Sequence, residues 1–203
     1  YLKDPEAEKS FKKALSIFDD KSSDAYRTQS YLLHYYIEAG DKASYEQLAV
    51  DYFGGNHTLA DQLSYIQSIS EQEVPVQSMV FALYVYVKAL YVLYRDDIDA
   101  FIANQLQCIE QDIRKTVLIN SHPWELIYTY LSLIALQASN NPLAIVWRDK
   151  IKTAVYNPGK PIKHRMIYGL MRFYEQVNDI ATAQNYREKL IKDNVDIEQY
   201  MTY

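Results

Sequence analysis

The sequence has little of what interrupts or cross-links regular structure. Its 203 residues include one cysteine, Cys108, five glycines and six prolines. A lone cysteine excludes an intramolecular disulfide framework and points to a reducing compartment, here the cytoplasm. So few glycines and prolines exclude collagen-like and low-complexity disordered chains. Positive charge is in deficit, with 21 Lys and Arg against 26 Asp and Glu and a net charge of −5. Direct nucleic-acid binding is not expected, because neutralising phosphates needs a basic surface. Zinc-hydrolase motifs and glycine-rich phosphate loops are missing, and His34, His57, His122 and His164 lie in separate stretches without ligand-type spacing. No cofactor, no metal and no enzymatic activity are expected. No signal peptide is visible, and a start at Tyr1 in place of Met reads as a fragment of a longer chain.

What is abundant is apolar helix. Residues 74–94, VPVQSMVFALYVYVKALYVLY, are apolar on nearly every side, which marks a helix buried all round. Gln77 and Lys88 interrupt the run, and its tyrosine hydroxyls need partners, so a soluble core helix is expected and not a membrane span. Tyrosine is the compositional oddity, with 20 copies suited to seams between helices and to binding surfaces.

The remaining chain predicts nine more helices and no strand alternation. Asp4-Pro5-Glu6 start the first, which runs to about Asp19-Asp20 and buries Phe11 and Phe18. The second runs from Ser22 or Ser23 to Gly40, where a left-handed residue closes it and Asp41 caps the third. The third ends at Gly54-Gly55, and a fourth spans Thr58 to about Ile69. After the central helix, the sixth runs from Asp97 to about Val117, with Ile98, Phe101, Ile102, Leu106, Ile109 and Ile113 inward and Glu110 outward. Asp96, Asp97 and Asp99 are expected to charge and cap its start. Ser121-His122-Pro123 opens the seventh and Asn140-Asn141-Pro142 the eighth. Residues 157–161, NPGKP, are the strongest break, followed by the ninth helix and a tenth capped by Asp179.

A set of positions recurs: Leu32, Tyr36, Gly40-Asp41; Val87, Tyr91, Arg95-Asp96, Ala100; Leu131, Ala135, Ser139-Asn140, Ala144; and Leu170, Tyr174, Asn178-Asp179, Ala183. This pattern resembles the tetratricopeptide repeat, in which an aromatic lines the first helix, a tight turn follows and a small residue opens the second helix. Tyr45 departs from it, standing where a small residue belongs. The resemblance implies an all-α fold, a right-handed superhelical array of about five antiparallel helix hairpins forming a single domain over residues 1–203.

It also implies a binding groove lined by the first helix of each hairpin. Helical phase places Arg27, Ser30, His34 and Glu38 of the second helix on that face. The central helix adds Ala82, Val85, Ala89 and Val92, the seventh Thr129 and Gln137, and the ninth Arg165, Tyr168, Arg172 and Gln176. From these, Arg27, His34, Thr129, Gln137, Arg165, Tyr168 and Arg172 are the candidate contact residues. Lys150, Lys152, Lys160, Lys163 and Arg165 against the single acid Asp149 make the region from Arg148 to Arg172 locally basic. The expected function is therefore a non-catalytic module that binds a protein or peptide segment carrying an acidic group. A similarity to the sensor domain of bacterial peptide-responsive transcription regulators makes a peptide-sensing domain one alternative, and an acidic, tyrosine-rich immunity-type toxin inhibitor is another. The Tyr- and Ile-rich faces also suit a homodimer.

Overall fold

The computed structural model describes residues 4–19, 22–70, 76–116, 123–152 and 160–200. Among them are ten α-helices, two 3-10 turns and no strand. The helices are α1 (Pro5–Leu15), α2 (Ser23–Ala39), α3 (Lys42–Tyr52), α4 (Leu59–Ser70), α5 (Val76–Leu93), α6 (Ala100–Thr116), α7 (Pro123–Gln137), α8 (Asn141–Lys152), α9 (Lys160–Gln176) and α10 (Ile180–Lys192). No helix among the described residues is long and apolar enough to cross a membrane. Pro75, Ser121-His122 and residues 157–159, expected to break or start helices, lie outside the described residues. The chain divides into two compact units, Tyr1–Leu93 and Tyr94–Tyr203.

In the first unit α2 is the hub, packed against α1, α3 and α5, while α4 packs on α5. The start of α1 follows local chemistry: the Asp4 carboxylate accepts from the Glu6 N–H at 3.0 Å, with Pro5 in the first turn. The helix ends at Leu15, earlier than Asp19, so Phe18 is 37% exposed and not a core residue. The apolar weight of this unit sits on α5. Every residue from Ala82 to Tyr91 is buried, Lys88 included.

In the second unit α7 packs on α6, α8 and α9, and α9 also packs on α8 and α10. Here α6 keeps Leu106 and Ile109 of its expected stripe inward and departs from it at Phe101 and Glu110. Ala103, Leu106 and Ile109 are buried and so is Glu110, whereas Phe101 is 66% exposed. Glu110 goes inward because Tyr128 and Lys150 supply its carboxylate with donors.

Three hairpins share one turn. In α2/α3, Gly40 has φ +70°, its N–H bonds to the Ile37 carbonyl, and the Asp41 N–H bonds to the Tyr36 carbonyl. In α7/α8, Ser139 takes φ 56° and the Asn140 N–H bonds to Ala135. In α9/α10, Asn178 takes φ 60° and the Asp179 N–H bonds to Tyr174. Each left-handed residue frees the chain to reverse while satisfying the last carbonyls of the helix. Asp41 and Asp179 then cap the next helix by accepting from Ser44 and Thr182. The residue four beyond each cap, Tyr45, Ala144 or Ala183, is buried in all three. The α5/α6 connection differs by three residues. A 3-10 turn, Arg95–Asp97, intervenes, and Asp99 accepts from the Ile102 N–H at 2.9 Å. Ala103 therefore takes the buried place expected of Ala100, which is exposed.

Candidate functional site

The seven candidate residues divide between the units, with Arg27 and His34 on α2 in the first and the other five on α7 and α9 in the second. On α2 the expected face is largely covered. Arg27 is exposed, but Ser30, His34 and Glu38 are buried. The reason is α5, which packs on that side of α2. The His34 ring meets the Tyr84 ring at 4.5 Å. One turn further, the Lys88 ammonium donates to the Glu38 carboxylate at 2.7 Å, with side chains only 1% and 4% exposed. The apolar middle expected from α5 is covered as well: Ala82, Val85 and Ala89 are buried, and Val92 is half-buried.

In the second unit α7 and α9 approach closely. A Cβ added at Gly169 would fall 2.2 Å from the Thr129 methyl, so glycine is what permits this contact. Thr129 itself is buried, and its hydroxyl donates to the Glu125 carbonyl at 3.0 Å. Tyr168, next to Gly169, is buried too, so the phase that pointed it to solvent is off by the width of the α7 contact. Arg165 is half-buried. Gln137, at the end of α7, is half-buried, and its carbonyl oxygen has no hydrogen-bond donor.

Arg172 is the candidate with chemistry to spare. Its Nη1 donates to Glu175 at 3.2 Å, and the other oxygen of Glu175 accepts from Arg187 Nη2 at 2.9 Å. The Arg172 side chain is 30% exposed, yet its Nε–H is buried and has no acceptor. A guanidinium presents its Nε and Nη donors as a fork that matches a carboxylate. One edge of that fork is occupied by Glu175, and the Nε edge is unfilled.

The basic residues of α8 behave differently, because they are consumed in packing. Lys150 donates to both oxygens of Glu110, at 3.1 and 3.3 Å, and stands 5.2 Å from the Tyr128 ring centre. The Tyr128 hydroxyl completes the arrangement by donating to Glu110 at 3.0 Å. Arg148 lies over Phe173 at 5.5 Å, and Lys152 donates to the Tyr174 hydroxyl while sitting 5.0 Å from that ring. Tyr174 in turn stacks on Tyr186 at 5.7 Å. These seams use the cation–π attraction that partial desolvation strengthens. His164 on α9 is paired with Asp193, past the end of α10, at 3.1 Å.

Glu110 was not foreseeable as a buried group from its own helix, since its neighbours in the stripe are apolar. Pairing it with Lys150 requires knowing that α6 and α8 both pack on α7. Cys108 is exposed. Among the described residues no group of three or more His, Cys, Asp or Glu could hold a metal ion. No protein-family model, curated protein or solved structure matches the chain.

Proposed function

We propose that the chain is a non-catalytic, cytoplasmic peptide-binding module, a tetratricopeptide-like superhelical array that receives a carboxylate of its partner at Arg172. The observation that carries this reading is the buried Nε–H of Arg172, which has no acceptor although the side chain is 30% exposed. Leaving a buried donor unpaired costs about 1–3 kcal/mol, and an incoming carboxylate oxygen recovers that cost. The Gly169–Thr129 contact, one turn earlier on α9, supports the reading by fixing the helix that presents the arginine. Gln137 adds a second polar group without a partner in the same unit, able to accept from a peptide N–H.

The test is selection from a random peptide library against the wild-type chain and against Arg172→Lys. Lysine keeps the charge and removes the fork. The Arg172–Glu175 pair is partly exposed, so its loss costs little stability. Enrichment of peptides carrying Asp, Glu or a free C-terminus, with binding lost in Arg172→Lys, is expected. Enrichment of uncharged peptides that bind both proteins equally would refute the proposal.

A further inference from the structure

The first unit carries a cleft that the Arg172 reading does not use. Helices α1 and α3 both pack on α2 but barely touch each other, and between them lies a cleft of about 300 Å³. Its apolar lining is Leu15 from α1, Leu32 from α2 and Leu48 from α3, with Tyr36 beside them. The Tyr36 hydroxyl is turned aside to Glu8, to which it donates at 3.0 Å. Along α3 the lining residues Ser44, Gln47, Leu48 and Asp51 keep the spacing of one helix face, a straight wall roughly 10 Å long at about 1.5 Å per residue. Past Leu15 in the chain, and outside the lining of the cleft, Ile17 is 71% and Phe18 37% exposed.

The two walls differ in charge. Lys12 lines the α1 side and Asp51 the α3 side. Lys12 is paired with Glu8 at 2.7 Å but remains 61% exposed, so its ammonium keeps donors for a second acceptor. Asp51 is exposed. We infer that this cleft binds an amphipathic helix of a partner protein, which inserts two apolar side chains one turn apart between Leu15 and Leu48 and sets an acidic flank against Lys12 and a basic flank against Asp51. Three features select that occupant. The straight α3 wall matches a helix laid alongside it, and helix-in-groove recognition reads apolar residues one turn apart. A volume at the bottom of the range for small-molecule pockets suits side chains better than a whole ligand. The opposed charges of the walls complement a helix whose own flanks are opposed.

The probe is a synthetic helical peptide with leucines one turn apart, glutamates along one flank and lysines along the other, followed by fluorescence anisotropy against the whole chain. Saturable binding is expected, weakened at least about tenfold by Leu48→Glu, which sets a charge on the apolar part of the α3 wall. Asp51→Lys, an exposed substitution that leaves the packing alone, is expected to weaken the same peptide several-fold and to strengthen a peptide with glutamates on both flanks. Circular dichroism melts establish that each variant is folded. If wild type binds neither peptide, or binds both peptides as the Asp51→Lys variant does, the inference is overturned. Self-association of the wild type that Leu48→Glu abolishes, without peptide binding, would also overturn it, because the cleft would then belong to a second copy of the chain.

Discussion

Replacing Gly169 by alanine sets two effects of opposite sign against each other. In a helix interior alanine is favoured over glycine by about 1 kcal/mol, so at an open position the substitution would stabilise the protein. Gly169 is not open. The new Cβ would meet the Thr129 methyl at 2.2 Å, its hydroxyl oxygen at 2.9 Å and its Cβ at 3.1 Å. Carbon atoms prefer about 3.5–4.0 Å, so α7 and α9 must separate or Thr129 must leave its position. Overpacking of this kind costs about 1–3 kcal/mol, and an overlap this deep belongs at the upper end. The net expectation for Gly169→Ala is a loss of about 2 kcal/mol. Thr129→Ala removes the atoms that collide most, so in that background Gly169→Ala should be close to neutral. Urea denaturation of the four proteins in a double-mutant cycle should return a coupling of about 2 kcal/mol. A Gly169→Ala protein more stable than wild type, with no coupling to Thr129, would refute the α7–α9 contact.

Breaking the buried pair by Lys88→Met should cost about 3–5 kcal/mol, because Glu38 is left charged and enclosed, while Glu38→Leu with Lys88→Met should recover most of it. Comparable stability of the single and double variants in chemical denaturation would contradict the pairing. Glu8 is held below its ordinary value of 4.5 by the hydrogen bonds from Lys12 and then Tyr36. A depressed carboxylate contributes above its unfolded value and loses that contribution as pH falls through the folded one, so the protection of α1 amides, relative to the intrinsic exchange rate at each pH, should fall below about pH 4.5, with the effect absent in Glu8→Gln. Burial pushes the Tyr26 hydroxyl from 10.0 up to about 12, opposed in part by a hydrogen bond with Tyr52. A raised value means stability is whole below pH 10 and falls between pH 10 and about 12, and Tyr26→Phe should flatten that decline in urea midpoints measured across the window.

The sequence carried the turns more faithfully than the faces. Gly40-Asp41 and Asn178-Asp179 are local devices, a left-handed residue followed by a cap, and their roles depend on nothing distant. The same is true of Asp4-Pro5 at the start of α1. The α5/α6 connection misled because Arg95-Asp96 resembles such a turn, while a 3-10 segment moves the working cap to Asp99. Faces depend on neighbours that are remote in sequence. Lys88 reads as an interruption in an apolar run and Glu38 as a surface acid, and only the meeting of α2 with α5 makes them a pair. Glu110 and Lys150 repeat that lesson in the second unit. Of the candidate residues, Thr129 and Tyr168 were placed on the correct helices but turn inward at the α7–α9 contact, which Gly169 makes possible and which helical phase alone does not register. Arg172 stood out in the sequence as one of several basic residues. What separates it from Arg148, Lys150 and Lys152 is a donor that is buried without an acceptor, a property of the folded chain.

The proposal for Arg172 is tested most directly by the NMR signal of its Nε–H during titration with a carboxylate-bearing peptide taken from the library. This proton is expected to shift downfield and exchange more slowly as a carboxylate oxygen accepts from it, while the corresponding signal of Arg148, engaged with Asp149, stays in place. A peptide that binds while leaving the Arg172 Nε–H signal unmoved would contradict it.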